Sequence, residues 1–515
     1  MPEPQQTMEI RPGELTLRDS DPDAGVEVEV RYFTLPQESL GALVRSVRVR
    51  NLSDKPVSVQ MLDGLALIIP HGLNNFSIKE MRYIAQSHAE VIGLAERTPG
   101  FRTKATSDDS TVVETVSGVN FCFGYEGGAP DRLLQPIVDP AAVYGSSTDL
   151  SRPVLFLDPG PYRAPGDQMT ENQLPCGLLL AGYELKPLAE KTFHMFYGYA
   201  PSPAPLAEFV SRARDESYVD QALRQNRALV EKLTQPCAMV SSHATLDAYA
   251  RQNVLDNVMR GGSPTTLGRS KDGKPIVLSL YTRKHGDLER DYNYYIIEPT
   301  FFSQGESNYR DVNQNRRHDV FMNPDVGASD IVFFMNLIQP DGFNPMLVQP
   351  KKLICKDTPA LRTAARKMAG RQAKWFLKHV TKEFELGRLL TDMTARGMAA
   401  GRREELVAEI LHHAEPVEAS LHGHGFWTDH WTYNMDLLES FRGIFPERVD
   451  DLLFRRREFT YCDSHVFVKP RSRKYVLLKG VPCQLNSLYA DPDKEALIRT
   501  RPTRPYAVRT RQGRG

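Results

Sequence analysis

Three segments of this 515-residue chain carry residue types that could hold a ligand. The first runs from Tyr281 to Asn315. Seven of the thirty residues from Tyr281 to Arg310 are aromatic, against 9% overall. Asp287, Glu289, Asp291, Asn293, Glu298, Gln304 and Asn308 are interleaved with them. Aromatic faces beside carboxylates and carboxamides suit a sugar. The C–H face of the sugar ring packs on the π-face, and its hydroxyls pair with the polar groups. The competing reading is a buried loop that satisfies its own hydrogen bonds, and composition alone favours it.

The second segment is Ser307-Asn308-Tyr309-Arg310-Asp311-Val312-Asn313-Gln314-Asn315. Ser307 or Asn308 suits a helix N-cap. A helix starting there puts Arg310 and Gln314 on one stripe, with Asp311 and Asn315 on the next. Four polar groups at a helix mouth could grip several hydroxyls, or could be an ordinary solvated first turn. The third segment, Gly423 to Tyr433, holds two of the three tryptophans. Helical spacing would put Trp427 with Trp431 and Asp429 with Tyr433. His412, His413, His422, His424 and His430 lie nearby, but they form no helical HxxxH pair and there is no CxxC. Neutral hydrogen-bonding histidines are a better reading than a zinc site, so no metal is expected.

The elements that must position these segments change character along the chain. Val26, Val28, Val30 and Tyr32 alternate with charged residues, and Val47/Val49 and Val57/Val59/Met61 repeat the pattern. Period two with one apolar face predicts half-buried antiparallel strands. Asn51-Leu52-Ser53-Asp54-Lys55-Pro56 predicts the turn between two of them. Further strands are expected at Thr111–Val116, Val119–Tyr125, Val154–Leu157, Leu178–Tyr183 and Lys191–Tyr199, giving a β-sandwich that carries no chemistry of its own. From Pro205 the spacing turns helical, over Leu206–Leu233 and then Leu246–Arg260, with a stop at Gly261-Gly262. A loop-rich stretch extends to about Asn323. Helices are then expected at Ile331–Ile338, Thr358–Thr381, Lys382–Arg396, Arg402–His413, Trp431–Phe441 and Arg448–Arg456. Lys469–Gly515 reads as irregular.

Sixty-four basic and sixty-four acidic residues cancel, which argues against a globally basic nucleic-acid binder. The arginines crowded into the last residues lack the interleaved aromatics of such a binder, so no nucleic acid is expected. The longest apolar runs fall well short of the roughly 18–20 residues that span a bilayer, and no membrane partner is expected. The opening residues have neither a basic start nor an apolar stretch. With six scattered cysteines, a cytoplasmic location with reduced thiols is the expectation. No GxGxxG, P-loop, GxSxG or HExxH is present.

The order of these segments resembles one family: Arg31-Tyr32-Phe33 and Asn51-Leu52-Ser53 in a sandwich, then helices, then Asn308–Asn315, then Trp427-Thr428-Asp429-His430-Trp431. It is similar to the cellobiose phosphorylase-like inverting glycoside phosphorylases, glycoside hydrolase family 94 and its relatives, and most of all to the long β-oligoglucan phosphorylase branch. The resemblance covers nearly the whole chain, and the Arg-Asp-Val-Asn-Gln-Asn run is its most specific motif.

The resemblance implies a multidomain β + α fold: an antiparallel β-sandwich over residues 1–203, linker helices over 204–262, and the first part of an (α/α)6 barrel over 263–515. It implies reversible phosphorolysis of β-linked gluco-oligosaccharides to α-glucose 1-phosphate. Inorganic phosphate is then the co-substrate and no cofactor is needed. A carboxylic acid protonates the glycosidic oxygen while phosphate attacks from the opposite face, so no general base is required. Carried over by position, the substrate-binding residues are Arg310, Asp311, Gln314, Asn315, Trp427, Asp429 and His430. Asn315 stands where cellobiose phosphorylases have an aspartate, which puts cellobiose itself in doubt as substrate. The family's general acid sits in a later Trp-x-Asp segment, with phosphate-binding histidines beyond it. Neither is placed here, so the catalytic residue stays unassigned and the chain is expected to be a partial copy that starts late and stops inside the barrel. A homodimer through the sandwich, or a second chain completing the barrel, is the expected partner. Two alternatives stand beside the phosphorylase: a non-catalytic carbohydrate-binding or assembly subunit, and an inverting hydrolase with Asp287, Glu289 or Asp311 as base.

Overall fold

A computed structural model describes residues 5–38, 40–73, 75–105, 116–215, 217–269, 273, 275–280, 307–348, 352–398, 403–417, 420–421, 427–462 and 464–500. The chain is a multidomain β-plus-α protein with two compact units, Met1–Gln252 and Asn253–Gly515. The expected strand at Thr111–Val116 and the aromatic run from Tyr281 to Glu306 lie outside the described residues, apart from Val116 itself.

The first unit is built on antiparallel strands: β1 (Gln5–Arg11), β2 (Glu14–Asp21), β3 (Val26–Thr34), β4 (Gly41–Asn51), β5 (Val57–Leu65), β6 (Ala89–Ile92), β7 (Gly100–Thr103), β8 (Val119–Glu126), β9 (Ala129–Leu133), β10 (Gln135–Ile137), β11 (Gly177–Leu185) and β12 (Glu190–Ala200). The larger sheet runs β1-β2-β3-β4-β12-β8-β7-β6, with β9 beside β8, and the smaller runs β10-β11-β5. Alternation along each strand assigns the faces. Val47, Val49, Phe193 and Met195 of the large sheet pack on Leu179, Ala181 and Leu185 of the small one. Arg45 crosses the same interface, its Nε 2.9 Å from an Asp63 carboxylate oxygen.

The opposite face carries Phe33, Val44, Phe121, Phe123, Tyr125 and Phe196, and helices cover it. These are Pro203–Ala213 and Tyr218–Thr234, which bring Leu206, Phe209, Val210, Val219 and Leu223 to the same core. Leu206–Leu233 is therefore two helices rather than one. Asp215 ends the first and starts the second by accepting from the Ser217 N–H (2.8 Å) and hydroxyl (2.6 Å), a local bond that competes with the helical ladder. Helix Ala244–Gly261 stops as expected, with Gly262 at φ +82° donating to the Val258 carbonyl at 2.9 Å. Val154–Leu157 corrects the expectation of a strand: it folds into turns, with Phe156 and Leu157 both donating to the Pro153 carbonyl. Its apolar residues follow a proline and have no strand partner.

In the predicted turn, the buried Asn51 has its whole amide engaged. Its Nδ2 points at the carbonyls of Lys55 (2.7 Å), Lys186 (3.1 Å) and Leu185 (3.3 Å). Its Oδ1 accepts from the Ser53 N–H (2.9 Å) and hydroxyl (2.8 Å). One side chain thus ties the end of β4 to the end of β11.

The second unit holds two apolar cores. One gathers Ile276 and Leu278 of the strand pair Ser263–Arg269/Pro275–Leu280, Leu353 and Cys355 of strand Lys352–Cys355, and the apolar faces of helices Pro359–Ala369, Ala373–Val380, Leu386–Ala395 and Arg403–His413. Local chemistry sets these limits. Thr358 caps Pro359–Ala369 by accepting from the Leu361 N–H at 3.1 Å, and Gly370 closes it at φ +51°. Thr358–Thr381 is accordingly broken in two at Gly370. The second core joins helices Tyr309–Arg316, Ser329–Asn336 and His430–Ile444.

Three further expectations are corrected. The stretch read as loop contains the 263–280 strand pair, whose Pro264, Gly268 and Gly273 masked the alternation. Arg448–Arg456 is helical, but over Asp451–Arg455 it is a single wide π-helical turn rather than an α-helix. The described part of Lys469–Gly515 is ordered into strand pairs Val466–Val468/Leu488–Ala490 and Tyr475–Leu478/Val481–Gln484 and helix Pro492–Thr500. No described helix is long and apolar enough to cross a membrane.

Candidate functional site

The candidate site grows from helix Tyr309–Arg316. Asn308 takes an extended conformation (φ −62°, ψ 134°) and its side chain accepts from the Arg310 N–H at 2.9 Å, the N-cap that the sequence predicts. Ser307–Asn308 pairs with Leu347–Val348, which pairs in turn with Ser420–Leu421. The Tyr309 N–H continues the attachment with a 2.9 Å bond to the Met346 carbonyl. The helix is thus fixed at its start, with Arg310 and Asp311 in the first turn.

Arg310 and Asp311 pair, with Nε to Oδ1 at 3.2 Å. The carboxylate is buried, while a third of the guanidinium side chain reaches solvent. Gln314 follows Arg310 by one turn and is partly buried. Asn315, also partly buried, has an Nδ2 that no protein group meets.

Facing them is the start of helix His430–Ile444. The buried His430 ring stacks on the Tyr309 ring, with centroids 5.0 Å apart and planes 18° apart. Burial pushes the His430 ring down to about 4. The Arg310 charge acts in the same direction, and Asp429 and Asp311 oppose it. The imidazole is therefore neutral near pH 7, and its Nδ1 meets no protein group. Tyr433 lies one turn past Asp429 and donates to its Oδ2 at 3.5 Å. Burial and the Asp429 charge raise the Tyr433 phenol. Arg310, Asp311, Asp429, His430 and Tyr433 thus form one electrostatic group drawn from two distant segments.

Below the stack lies an amide pair. The Tyr309 hydroxyl is 2.9 Å from Asn434 Oδ1 and 3.1 Å from the Phe334 carbonyl. Asn313 Nδ2 is 2.6 Å from the same Asn434 oxygen. A phenol has one hydrogen, so the two acceptors compete for it. Turning both amides over lets Asn434 donate to Tyr309 and Asn313 while Tyr309 donates to Phe334. As placed, Asn313 Oδ1 and Asn434 Nδ2 meet no protein group.

The structure brings together Arg310, Asp311, Asp429 and His430 from the sequence-predicted set. Gln314 and Asn315 share the helix, without a hydrogen bond to the others among the described contacts. Trp427 is corrected: it precedes helix His430–Ile444 and so does not share a helical face with Trp431. Both tryptophans are about half exposed. His412 and His413 end helix Arg403–His413, whose apolar face, not its histidines, belongs to the other apolar core. His422 and His424 lie outside the described residues, and among the described residues no cluster of His, Cys, Asp and Glu could hold a metal. Sequence reasoning missed Asn434. The signal for it was available, since it follows His430 by one helical turn.

Arginine, two carboxylates, a neutral imidazole, a phenol and exposed indole faces offer hydrogen-bond donors and acceptors of both kinds beside aromatic surface. The set suits recognition of a hydroxyl-rich ligand.

No protein-family model matches the chain, and no curated protein matches it. Solved structures similar to it include a family GH92 alpha-mannosidase from Bacteroides thetaiotaomicron, at 8% identity and a TM-score of 0.21, matching 76% of this chain and 42% of that one. A GH92 family glycosyl hydrolase matches 86% of this chain and 62% of its own at 11% identity and a TM-score of 0.25. The Bacteroides enzyme in complex with mannoimidazole matches 76% of this chain and 40% of its own, at 7% identity and a TM-score of 0.20. The chain therefore spans less than two thirds of the length of each, and scores this low do not establish a shared fold.

Proposed function

We propose that this chain binds β-linked gluco-oligosaccharides at the Arg310–Asp429 group and works as a glycoside phosphorylase of the cellobiose phosphorylase-like kind. The observation that carries the reading is the meeting of its two motif segments. Arg310-Asp311 and Asp429-His430 are far apart in sequence, yet the charges of Arg310, Asp311 and Asp429 all act on the His430 ring, which stacks on Tyr309.

In this reading residues 1–203 are the sandwich, 204–262 the linker helices and 263–515 part of an (α/α)6 barrel. Arg310 and Asp429 bond sugar hydroxyls, and Asp311 fixes the guanidinium. Neutral His430 offers one donor and one acceptor, and the indole faces of Trp427 and Trp431 receive the C–H face of a sugar ring. Gln314 and Asn315 extend the grip by one turn. The reaction is phosphorolysis with inversion, giving α-glucose 1-phosphate and a shortened glucan. Its general acid is unassigned in this chain.

The test is phosphate release from α-glucose 1-phosphate with a panel of β-1,2-, β-1,3- and β-1,4-linked gluco-oligosaccharide acceptors, beside calorimetric binding of the same panel. Release with one acceptor supports the phosphorylase and fixes the linkage. Binding without release points to a non-catalytic carbohydrate-binding subunit. Glucoside cleavage that does not depend on phosphate points to the inverting hydrolase. Absence of both binding and release from folded protein sinks the proposal.

A further inference from the structure

The second unit carries an arm. Residues 464–490 fold as a two-stranded ribbon whose base is tied to the unit. Gln339 Nε2 donates to the Val466 carbonyl and the Cys462 N–H donates to the Ile338 carbonyl, both at 2.8 Å. Strand pair Val466–Val468/Leu488–Ala490 forms the base, where the Phe467 and Tyr489 rings stack at 5.5 Å. The Lys469 N–H bonds the Ser487 carbonyl and the Leu485 N–H bonds the Lys474 carbonyl, both at 2.7 Å, and these bonds join base to end. The end is strand pair Tyr475–Leu478/Val481–Gln484, turned by Lys479 and Gly480 at φ +52° and +81°, the two positive values that a tight hairpin needs.

Register assigns the faces of that end. Tyr475 and Leu477 share one with Pro482 and Gln484, while Val476 and Leu478 share the other with Val481 and Cys483. Leu477 is 71% exposed, Val481 59% and Leu478 58%, so aliphatic groups meet solvent on both faces. A lone two-stranded hairpin is marginally stable in water, and clustered exposed aliphatics mark a contact surface. The charge around them is one-sided. From Ser464 to Ala490 the chain holds Lys469, Arg471, Arg473, Lys474 and Lys479, with no aspartate or glutamate. Among the described residues none of the five pairs with a carboxylate.

We propose that this arm docks on an anionic lipid surface, with Leu477, Leu478 and Val481 entering the headgroup layer and the flanking lysines and arginines meeting lipid phosphates. A flat protein surface would cover one face of the hairpin, whereas a lipid layer takes in both. The cations call for an anionic occupant, and the arm of a second copy would bring five more cations to the contact. Lys479, in the turn itself, keeps the insertion shallow, within the roughly 5–10 Å that interfacial elements reach. Its four-carbon stem lets the ammonium fold back to the phosphates. A surface contact of this kind needs no spanning segment, and it stands apart from the sugar-binding reading.

The test is flotation of the full chain with vesicles of phosphatidylcholine, with and without phosphatidylglycerol. Binding is expected to the mixed vesicles alone, and it should weaken as salt is raised. Leu477→Ser with Leu478→Ser should weaken it by about ten-fold or more, and Arg471→Gln with Arg473→Gln by a similar factor. Neither pair belongs to an apolar core of the unit, so both variants should keep the melting temperature of the parent chain. Absence of binding to either vesicle, or equal binding to both, overturns the proposal; absence leaves the arm to a polypeptide partner. Binding that survives the leucine changes also overturns it, because charge alone then holds the chain to the surface. So does sedimentation velocity without vesicles, if the parent chain self-associates and the leucine variant does not: the occupant is then a second copy.

Discussion

Asn51 and Asn344 are both carboxamides with no exposed surface, and they could hardly be treated more differently. In the first unit, Asn51 has every polar atom engaged and joins two chain segments. In the second unit, Asn344 is equally buried and bonds to no protein group. Arg45 and Asp63 repeat the first pattern between the sheets, and Asn313 and Asn434 repeat part of the second beneath the His430 stack. The comparison separates buried polar groups that hold a fold from buried polar groups that no protein group meets. Proteins tolerate the second kind where function requires it, at a cost in stability.

The comparison can be broken first at its apolar reference. Phe123 stacks on Phe196 at 4.8 Å and meets Phe209 edge-on at 5.8 Å. Phe123→Ala should cost about 3–5 kcal/mol of stability, measured by urea unfolding of the full chain, and should leave sugar affinity per folded molecule unchanged. Asn51→Ala comes next. It removes the amide donor from the carbonyls of Lys55, Leu185 and Lys186 and the acceptor from Ser53, and should cost about 2–3 kcal/mol. If it costs no more than Asn344→Leu, the distinction between the two amides collapses.

Arg310→Ala should weaken oligosaccharide binding by about 10–100-fold, the loss of about 1.5–3 kcal/mol expected for a charged hydrogen-bond donor, with a smaller effect on unfolding than Asn51→Ala. Tyr309→Phe should be milder, at about 1 kcal/mol. It keeps the stack on His430 and removes only the hydroxyl that points at Asn434 and Phe334.

The smallest effect concerns protons. Burial pushes both His194 and His430 down to about 4, against about 6.5 in an unfolded chain. Between those values the unfolded state binds more protons, so both rings support the fold fully above about pH 6.5 and lose that contribution as the pH falls toward 4. The rings differ in their partners. His194 Nδ1 lies 2.9 Å from the Ser46 hydroxyl, whereas His430 Nδ1 meets no protein group. Nuclear magnetic resonance titration should therefore find sugar shifting the His430 signals and leaving those of His194 in place. Equal shifts in both would show that the ligand acts through global stability.

Much of the fold was legible because local patterns and tertiary packing agree. The alternation at Val26–Tyr32 is β3, and the Asn51–Pro56 turn is where expected. Asn308 caps the helix it was read to cap. The short strands Ala89–Ile92, Gly100–Thr103 and Gln135–Ile137 were not legible, since segments of three or four residues carry too little periodicity. At the site, the resemblance put the two motifs in one binding set, but the Tyr309–His430 stack that joins them was not legible, because it depends on packing between helices far apart in sequence. Asn344 was invisible for a deeper reason. A polar residue beside proline and glycine reads as a surface turn, and only the folded chain shows that its amide is buried and unmet.

The small sheet at the head of helix Tyr309–Arg316 also sets an order of events. Its strands Ser307–Asn308, Leu347–Val348 and Ser420–Leu421 come from widely separated points in the chain. An eight-residue helix is too short to persist alone in water. Its anchorage must therefore wait for contacts of long sequence separation, which close slowly. During synthesis the first unit can mature on its own contacts, while the Arg310–Asp311 turn is anchored only once the polypeptide has emerged past Val348, and meets His430 later still. The site is then a late product of folding, and slowed elongation across residues 310–420 would prolong the interval in which its aromatic and amide groups stand apart.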